Sequence, residues 1–120
     1  MLILIVDDEP HSASALAMLL QAHGHVSHVA NDGQQACDSA EDLRPEVILL
    51  DLSLPDLSGY DVCRHIRSQD WTTNPFIVAV TGWGQQSNRQ RTQEAGFDLH
   101  LVKPIDPEEL LRVLNQRPTS

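Results

Sequence analysis

The sequence predicts an α/β fold, in which a doubly wound parallel sheet of five strands is covered on its two faces by five helices. Short runs of Val, Ile and Leu, typical of strands buried on both faces, alternate with helix-length segments along the 120 residues. Helices on both faces and right-handed crossovers favour the strand order 2-1-3-4-5. The length and the ordinary apolar fraction of 41% fit one globular domain, and we expect residues 1–120 to form it.

The five strands are predicted from apolar runs of four or five residues. These runs are 2–6, 26–30, 47–50, 76–80 and 99–102. The second run is the least apolar, and its Ser27 and His28 indicate an edge strand. A turn signal, Asn31-Asp32-Gly33, follows it and separates it from the next helix.

The first three helices are predicted from apolar residues at helical spacing. The first is about 12–14 residues long and ends before Gly24, a residue suited to a C-terminal cap, and the second ends before Pro45. The inward-facing positions are Ala13, Leu16, Ala17 and Leu20, then Ala36, Cys37, Ala40 and Leu43, then Gly59, Val62, Cys63 and Ile66.

The last two helices are predicted from different signals. Residues 85–94 contain no apolar side chain, so we expect a helix of low stability held mainly at its ends by Trp83 and Ala95. The alternative is simply a solvated helix. For the fifth helix, Asp106 is the predicted N-cap, a proline takes the first position, and Glu109 completes a capping box.

The charge balance argues against several classes of function. The net charge of −9 disfavours binding to nucleic acids and to anionic membranes. The apolar segments are too short to cross a bilayer, and the sequence shows no signal peptide. Cys37 and Cys63 lie in predicted helices without metal-binding spacing, so we expect reduced, buried thiols in a cytoplasmic protein.

Four of the apolar runs end at residues capable of chemistry. Asp7 and Asp8 follow the first strand, Asp51 the third, Thr81 the fourth and Lys103 the fifth. In an open α/β sheet, ligands bind beyond the carboxyl ends of the strands. Neighbouring first and third strands would place their carboxylates about 5 Å apart, and a lysine two strands away would reach them from about 10 Å.

Carboxylates this close together repel each other, so they cannot all stay ionised without a cation nearby. Mg²⁺ fits, because it prefers oxygen ligands and takes only one or two carboxylates directly. A nucleophilic carboxylate, a metal, a hydroxyl and an ammonium are the groups needed to form and stabilise an aspartyl phosphate. The sequence contains no glycine-rich phosphate loop, which argues against a nucleotide-binding enzyme.

Four motifs, in order and at matching spacing, carry a resemblance that covers essentially the whole chain. They are residues 5–10, 51–62, 79–82 and 95–104. The chain resembles a response-regulator receiver domain of two-component signalling, which implies a flavodoxin-like fold. The sequence of residues 81–85 and 97–104 is most similar to that of receivers attached to hybrid sensor histidine kinases. We therefore expect a phosphoacceptor switch rather than an enzyme that turns over an external substrate.

The resemblance implies a role for each residue at the phosphoryl group. Asp51 would accept the phosphoryl group from a phosphohistidine on a histidine kinase or a histidine phosphotransfer domain. Thr81 and Lys103 would hold the phosphoryl oxygens. Effector domains or parent kinase domains are the further partners that the family implies, and no effector domain lies within these 120 residues.

The resemblance also implies the ligands of Mg²⁺. Asp8, Asp51 and the backbone carbonyl of Ser53 would bind the ion directly, and Asp7 would act through water. The peptide bond between Lys103 and Pro104 is cis in many relatives, as X-Pro bonds permit.

Two positions depart from the family pattern. His100 stands where receivers usually carry the Tyr or Phe of a rotamer switch, and an imidazole there would alter switching or add pH sensitivity. The alternative is a packed or half-exposed histidine on the last strand. Trp83 stands two residues after Thr81, beside Ser53, at positions that border the phosphoryl group. We expect its indole to shield the acyl phosphate and lengthen its lifetime.

Two other functions compete with the phosphoacceptor. A haloacid-dehalogenase-type phosphatase also uses an aspartate nucleophile with Mg²⁺, but it needs a second aspartate where this chain has Ser53, and it needs a cap domain. An unphosphorylated receiver scaffold is disfavoured because all five strand-end residues are in place.

Three other groups of residues are interpreted as surface features. We interpret His23, His25 and His28 as surface histidines without a common metal geometry. Asp56 is interpreted as a solvated loop acid, and Asp61 as an acid at a helix start.

Overall fold

The computed structural model describes residues 1–72, 74–82 and 89–117. Within these ranges the chain forms five strands and five helices in strict alternation. They are β1 (Leu2–Val6), α1 (Pro10–Ala22), β2 (Val26–Ala30), α2 (Gly33–Leu43), β3 (Val47–Asp51), α3 (Gly59–Arg67), β4 (Phe76–Thr81), α4 (Arg89–Ala95), β5 (Leu99–Val102) and α5 (Pro107–Asn115).

The strands form one parallel sheet in the order β2-β1-β3-β4-β5, so the predicted fold class and strand order are confirmed. The register places Val6 beside Leu50, Asp51 beside Val80, and Thr81 beside Val102. The carboxyl ends of β1, β3, β4 and β5 therefore lie along one edge of the sheet. β2 is an edge strand, as its polar residues predicted.

The sheet separates the apolar core into two layers. On one face, α1 and α5 pack against residues such as Ile5 and Leu49, and on the other face α2, α3 and α4 pack against residues such as Leu4 and Leu50. All five residues of β3 are buried because helices cover this central strand on both faces. The strand that ends at Asp51 is thus the best-buried one.

Acidic and hydroxyl side chains cap the helices. Glu9 accepts hydrogen bonds from the backbone N–H groups of the first turn of α1, and Ser58 accepts one in α3. Asp106 is the N-cap of α5, as predicted, but its described bond comes from the N–H of Glu108. The predicted capping box with Glu109 is therefore replaced by a cap to the second residue of the helix.

The described part of α4 is Arg89–Ala95, and Trp83 and the predicted start of this helix at Gln85 lie outside the described residues. Thr92 is buried as well as Ala95, so the helix has an inward face although it lacks an apolar stripe. The guanidinium of Arg91 also lies over the ring of Tyr60 in α3. The expectation that α4 is held mainly at its ends therefore misses these contacts along the helix.

Both cysteines are free, as predicted, but they differ in burial. Cys63 is fully buried, and burial raises the pKa of its thiol to about 12. Cys37 is only half-buried, and burial likewise raises its pKa. Both thiols are therefore protonated near neutral pH. None of the helices in the described part of the chain combines the length and apolar character needed to span a bilayer.

Candidate functional site

Three carboxylates meet at the carboxyl edge of the sheet. Asp7 and Asp8 follow β1, Asp51 ends β3, and these strands are neighbours. Each of the three side chains offers one oxygen within 4.8 Å of the others. Asp7 and Asp51 are only 2% and 6% exposed, whereas Asp8 is open to solvent. The structure therefore brings the three acids together, and we call them the acidic cluster.

The ammonium group of Lys103 lies between two of these carboxylates. Its Nζ donates to Asp51 Oδ2 at 2.8 Å and to Asp7 Oδ2 at 3.2 Å. Burial lowers the pKa of Lys103, but the hydrogen bonds and the attraction of the two carboxylates outweigh it, and the pKa is raised. The peptide bond that follows, to Pro104, is cis. The lysine reaches back across two strands, as the spacing predicted.

Backbone N–H groups fix the orientation of the two buried carboxylates. Asp51 Oδ1 accepts from the N–H of Ser53 at 2.9 Å, and Asp7 Oδ1 accepts from the N–H of Glu9 at the same distance. Each carboxylate thus uses one oxygen for its own loop and the other for Lys103. This division holds the oxygens in place before any ligand binds.

Thr81 is buried at the end of β4, the strand next to Asp51. Its hydroxyl donates to the backbone carbonyl of Leu101 in β5, at 3.4 Å. The structure therefore places the hydroxyl at the predicted edge but engages it with the neighbouring strand. Contact with a ligand on Asp51 requires the hydroxyl to leave this carbonyl.

His100 is half-exposed on β5, between Leu99 and Leu101. Together with Thr92 and Phe97, it lines a groove of about 280 Å³ between α4 and β5. This environment agrees with the interpretation of a half-exposed histidine on the last strand. Trp83, the second departure from the family pattern, lies outside the described residues.

Asp56 is exposed in the loop after β3, as its interpretation as a solvated loop acid predicts. Its carboxylate also accepts hydrogen bonds that the sequence does not predict, from the N–H groups of Gly33 at 2.7 Å, Leu57 at 2.9 Å and Gln34 at 3.0 Å. These hydrogen bonds lower the pKa of the Asp56 carboxyl, and the bond from Gly33 has the largest effect. Asp61 does lie at the start of α3, exposed, where it pairs with Arg64.

The acids that bond to helix N-termini differ in how far the sequence predicts them. A proline at the first position of α1 points to the preceding residue, Glu9, as a cap, although Glu9 is not among the predicted caps. Asp56 carries no comparable signal because two of its partners lie 22 and 23 residues earlier in the chain.

The histidines near β2 form no metal site. The ring of His23 bonds to the carbonyl of Leu19, and His25 Nδ1 lies 3.1 Å from the terminal amine of Met1. Across the ranges 1–72, 74–82 and 89–117, the acidic cluster is the one group of His, Cys, Asp or Glu side chains placed to hold a metal ion. The three histidines are not part of this group.

The donor atoms of the acidic cluster fit a hard divalent cation. They are all carboxylate oxygens, and one acid, Asp8, is open to solvent, as suits an ion that keeps water ligands. Lys103 neutralises only part of their negative charge. A divalent cation would supply the remaining positive charge.

The family model and the curated relatives that match this chain point to the same protein family. Residues 3–115 match the family model of the response regulator receiver domain. The DNA-binding response regulator MtrA of Mycolicibacterium smegmatis is 36% identical over 96% of this chain, and RpaA of Synechocystis is 34% identical over 91%. The chain spans about half the length of these curated relatives, 49% of MtrA and 45% of RpaA.

Solved structures agree in fold and in sequence. The receiver domain of the sensor histidine kinase PA1611 from Pseudomonas aeruginosa has a TM-score of 0.87 and 35% identity, covering 97% of this chain and 95% of its own. That structure has a magnesium ion coordinated in its active-site cleft. The chemotaxis protein CheY4 of Vibrio cholerae has a TM-score of 0.87 at 28% identity, covering 98% of both chains.

These findings support neither the haloacid-dehalogenase-type phosphatase nor the unphosphorylated scaffold. Fold, acidic cluster and relatives agree on one interpretation, a phosphoacceptor module of two-component signalling. This chain belongs to the response regulator receiver domain family.

Proposed function

We propose that Asp51 is the phosphoacceptor and that residues 1–120 act as one receiver domain. The observation that carries this proposal is the position of Lys103, whose ammonium lies 2.8 Å from Asp51 and 3.2 Å from Asp7. Asp51 is the central member of this arrangement, because it ends the best-buried strand and contacts the lysine more closely than Asp7 does. Its carboxylate is held ready as a nucleophile beside a fixed positive charge.

The chemistry that follows is phosphoryl transfer from a phosphohistidine, on a histidine kinase or a histidine phosphotransfer domain. A carboxylate oxygen of Asp51 forms the new O–P bond while the P–N bond to the donor imidazole breaks. The leaving imidazole nitrogen takes up a proton, so the donor ends as neutral histidine. Lys103 and Thr81 hold the phosphoryl oxygens and offset their developing charge.

We place Mg²⁺ at the acidic cluster, held directly by Asp8, Asp51 and the carbonyl of Ser53, with Asp7 acting through water. When bound, the ion neutralises charge on the carboxylate and on the phosphoryl oxygens. The oxygen-only donor set and the magnesium ion in the similar PA1611 receiver support this assignment.

The output of the module is a changed surface rather than the turnover of an external substrate. The likeness to the PA1611 receiver supports a parent sensor kinase as one setting, and the likeness to MtrA supports attachment to an effector domain as another. Neither setting requires this domain itself to contact nucleic acid or a membrane, and both fit a cytoplasmic location.

Two further roles rest on the sequence alone. His100 acts as the switch residue in place of the usual aromatic side chain, and NMR of its ring on phosphorylation tests this. An unchanged ring environment would contradict it. Trp83 shields the acyl phosphate, so Trp83→Ala should shorten the phosphoryl lifetime, and a lifetime that is unchanged or longer would contradict that role.

The main test is phosphorylation by acetyl phosphate with Mg²⁺, followed by intact-protein mass spectrometry. We expect the wild-type domain to gain the mass of one phosphoryl group and Asp51→Ala to gain none. Asp61→Asn, an exposed acid that pairs within its own helix, is the matched control and should be modified like the wild type. A phosphoryl mass gain that persists in Asp51→Ala would overturn the assignment. Chelation of the metal should abolish the reaction.

A further inference from the structure

One carboxylate joins the loop after Asp51 to a helix on the other side of the acidic cluster. The loop consists of residues 52–58, and Asp56 forms its hydrogen bonds to α2. Asp56 Oδ1 accepts from the N–H of Gly33 at 2.7 Å, and Oδ2 accepts from the N–H of Gln34 at 3.0 Å. These two N–H groups are in the first turn of α2 and have no partner within the helix itself.

The connection continues on both sides to the acidic cluster. On the loop side, the N–H of Ser53 donates to Asp51 Oδ1 at 2.9 Å. On the helix side, α2 follows β2, whose last residue, Ala30, accepts from the N–H of Asp7 at 3.0 Å. Asp56 therefore closes a ring of contacts that runs from Asp51, through the loop and α2, back to Asp7.

The packing at this contact is close. A Cβ atom added to Gly33 would lie 2.7 Å from Leu57 Cβ, so the loop is seated directly on the first turn of α2. The ordinary N-cap of the helix is a different residue, Asp32, which accepts from the N–H of Gln35 at 2.8 Å. The two acids therefore have different roles. Asp32 caps the helix, and Asp56 joins the helix to the loop.

We propose that Asp56 is a positioning residue for the divalent cation. The proposal rests on the proposed function, in which the backbone carbonyl of Ser53 is one ligand of the ion. Asp56 holds the loop at its distance from Asp7 and thereby sets where that carbonyl lies. Without this contact the loop can move away, and the cation loses a ligand whose position had been fixed in advance. Groups that hydrogen-bond directly to metal ligands typically contribute ten- to a hundredfold to affinity. Because Asp56 acts through the loop backbone instead, we expect a loss at the lower end of that range, about tenfold.

The test compares Asp56→Ala with Asp32→Ala, two changes that each remove a carboxylate from the start of α2. Mg²⁺ affinity is measured by NMR titration, and the rate of modification by acetyl phosphate is measured as a function of Mg²⁺ concentration. We expect Asp56→Ala to raise the dissociation constant for Mg²⁺ about tenfold, while saturating Mg²⁺ restores the maximal rate. Asp32→Ala should leave the dissociation constant unchanged, although it also weakens the helix.

Asp56→Asn provides a rescue arm and keeps the proposal testable if the alanine variant folds poorly. Its amide oxygen can still accept from Gly33, so its Mg²⁺ affinity should fall between those of the wild type and Asp56→Ala. An unchanged dissociation constant in both Asp56 variants, or an equal loss in Asp32→Ala, would overturn the inference. A wild-type domain that is not modified on Asp51 would instead overturn the proposed function, so the two failures are distinguishable.

Discussion

The guanidinium of Arg91 lies over the ring of Tyr60, with its Cζ atom 4.0 Å from the ring centroid. The two residues belong to α4 and α3, and the same tyrosine ring meets Phe97 edge-on, with centroids 6.1 Å apart. This stacking gives the polar helix α4 a contact with α3 that its sequence pattern does not predict. It adds to the buried side chains of Thr92 and Ala95 in holding α4 on the domain.

We expect the pair of Arg91 and Tyr60 to show a measurable coupling energy. In a double-mutant cycle with Arg91→Met and Tyr60→Leu, the interaction should contribute about 0.5–1 kcal/mol, as is usual for a cation over an aromatic face near the surface. Urea unfolding supplies the four free energies, and amide exchange in α4 should accelerate in Arg91→Met. Arg64→Met, which removes an arginine paired within its own helix, is the control. Additive effects would show that the stacking contributes nothing.

Removal of the Lys103 ammonium should destabilise the domain in a way that a divalent cation reverses. Lys103→Met leaves the carboxylates of Asp7 and Asp51 facing each other with their shared donor gone. Because the lysine is partly exposed, we expect a loss of about 1–3 kcal/mol at neutral pH. Urea unfolding with and without Mg²⁺ measures it, and the ion should recover part of the loss. Adding Asp51→Asn should also relieve the repulsion, and equal stability of all variants would contradict this account.

The contribution of Asp56 should depend on pH in a defined direction. Its pKa lies below the ordinary value of 3.8, foremost because the N–H of Gly33 bonds to the charged form. A pKa depressed by folding means that the carboxylate stabilises the fold above the unfolded-state pKa and loses that effect as the pH falls through the folded-state pKa. The gap in melting temperature between wild type and Asp56→Asn should therefore be constant near neutral pH and narrow below about pH 4. A gap that widens in acid would contradict the prediction.

Gly59→Ala should distort the backbone at Asp51 and Leu52. An added Cβ would lie 2.5 Å from the carbonyl oxygen of Asp51 and 2.7 Å from the Cα of Leu52, and neither backbone atom can rotate away. We expect a loss of about 1–3 kcal/mol in unfolding free energy, together with slower modification by acetyl phosphate. Gln21→Ala, at an exposed position of α1, is the control. An alanine variant as stable and as reactive as the wild type would refute the close contact.

The fold was predictable because its signals are local. β1, β3 and β4 contain apolar runs of four or five residues, and α1, α2 and α3 repeat their apolar residues at helical spacing. Neither signal requires knowledge of the rest of the chain. The acidic cluster was predictable for a related reason, since parallel strands bring their carboxyl ends to one edge. Lys103 could be placed there because only a long cationic side chain can reach back across two strand spacings.

The remaining contacts were not predictable because they join residues distant in sequence. Arg67 donates to the carbonyls of Gly96 and Pro75 and to the carboxylate of Asp98, up to 31 residues away. Asp56 and its α2 partners are a similar case. No spacing rule identifies such pairs, since their geometry arises only once the helices have packed on the sheet. These long-range bonds set the positions of the loops, whereas the local patterns set the elements.

The capping side chains lie at the same edge of the sheet as the acidic cluster. The helices run antiparallel to the strands, so their partially positive N-terminal ends also point to this edge. Carboxylates already occupy three of these ends, at α1, α2 and α5. The helix dipoles are thus largely satisfied, and Lys103 offsets only one of the three charges in the cluster. A phosphorylated donor is itself an anion and meets repulsion at this edge until a divalent cation has bound, so we expect ordered binding, with the cation first and the donor second.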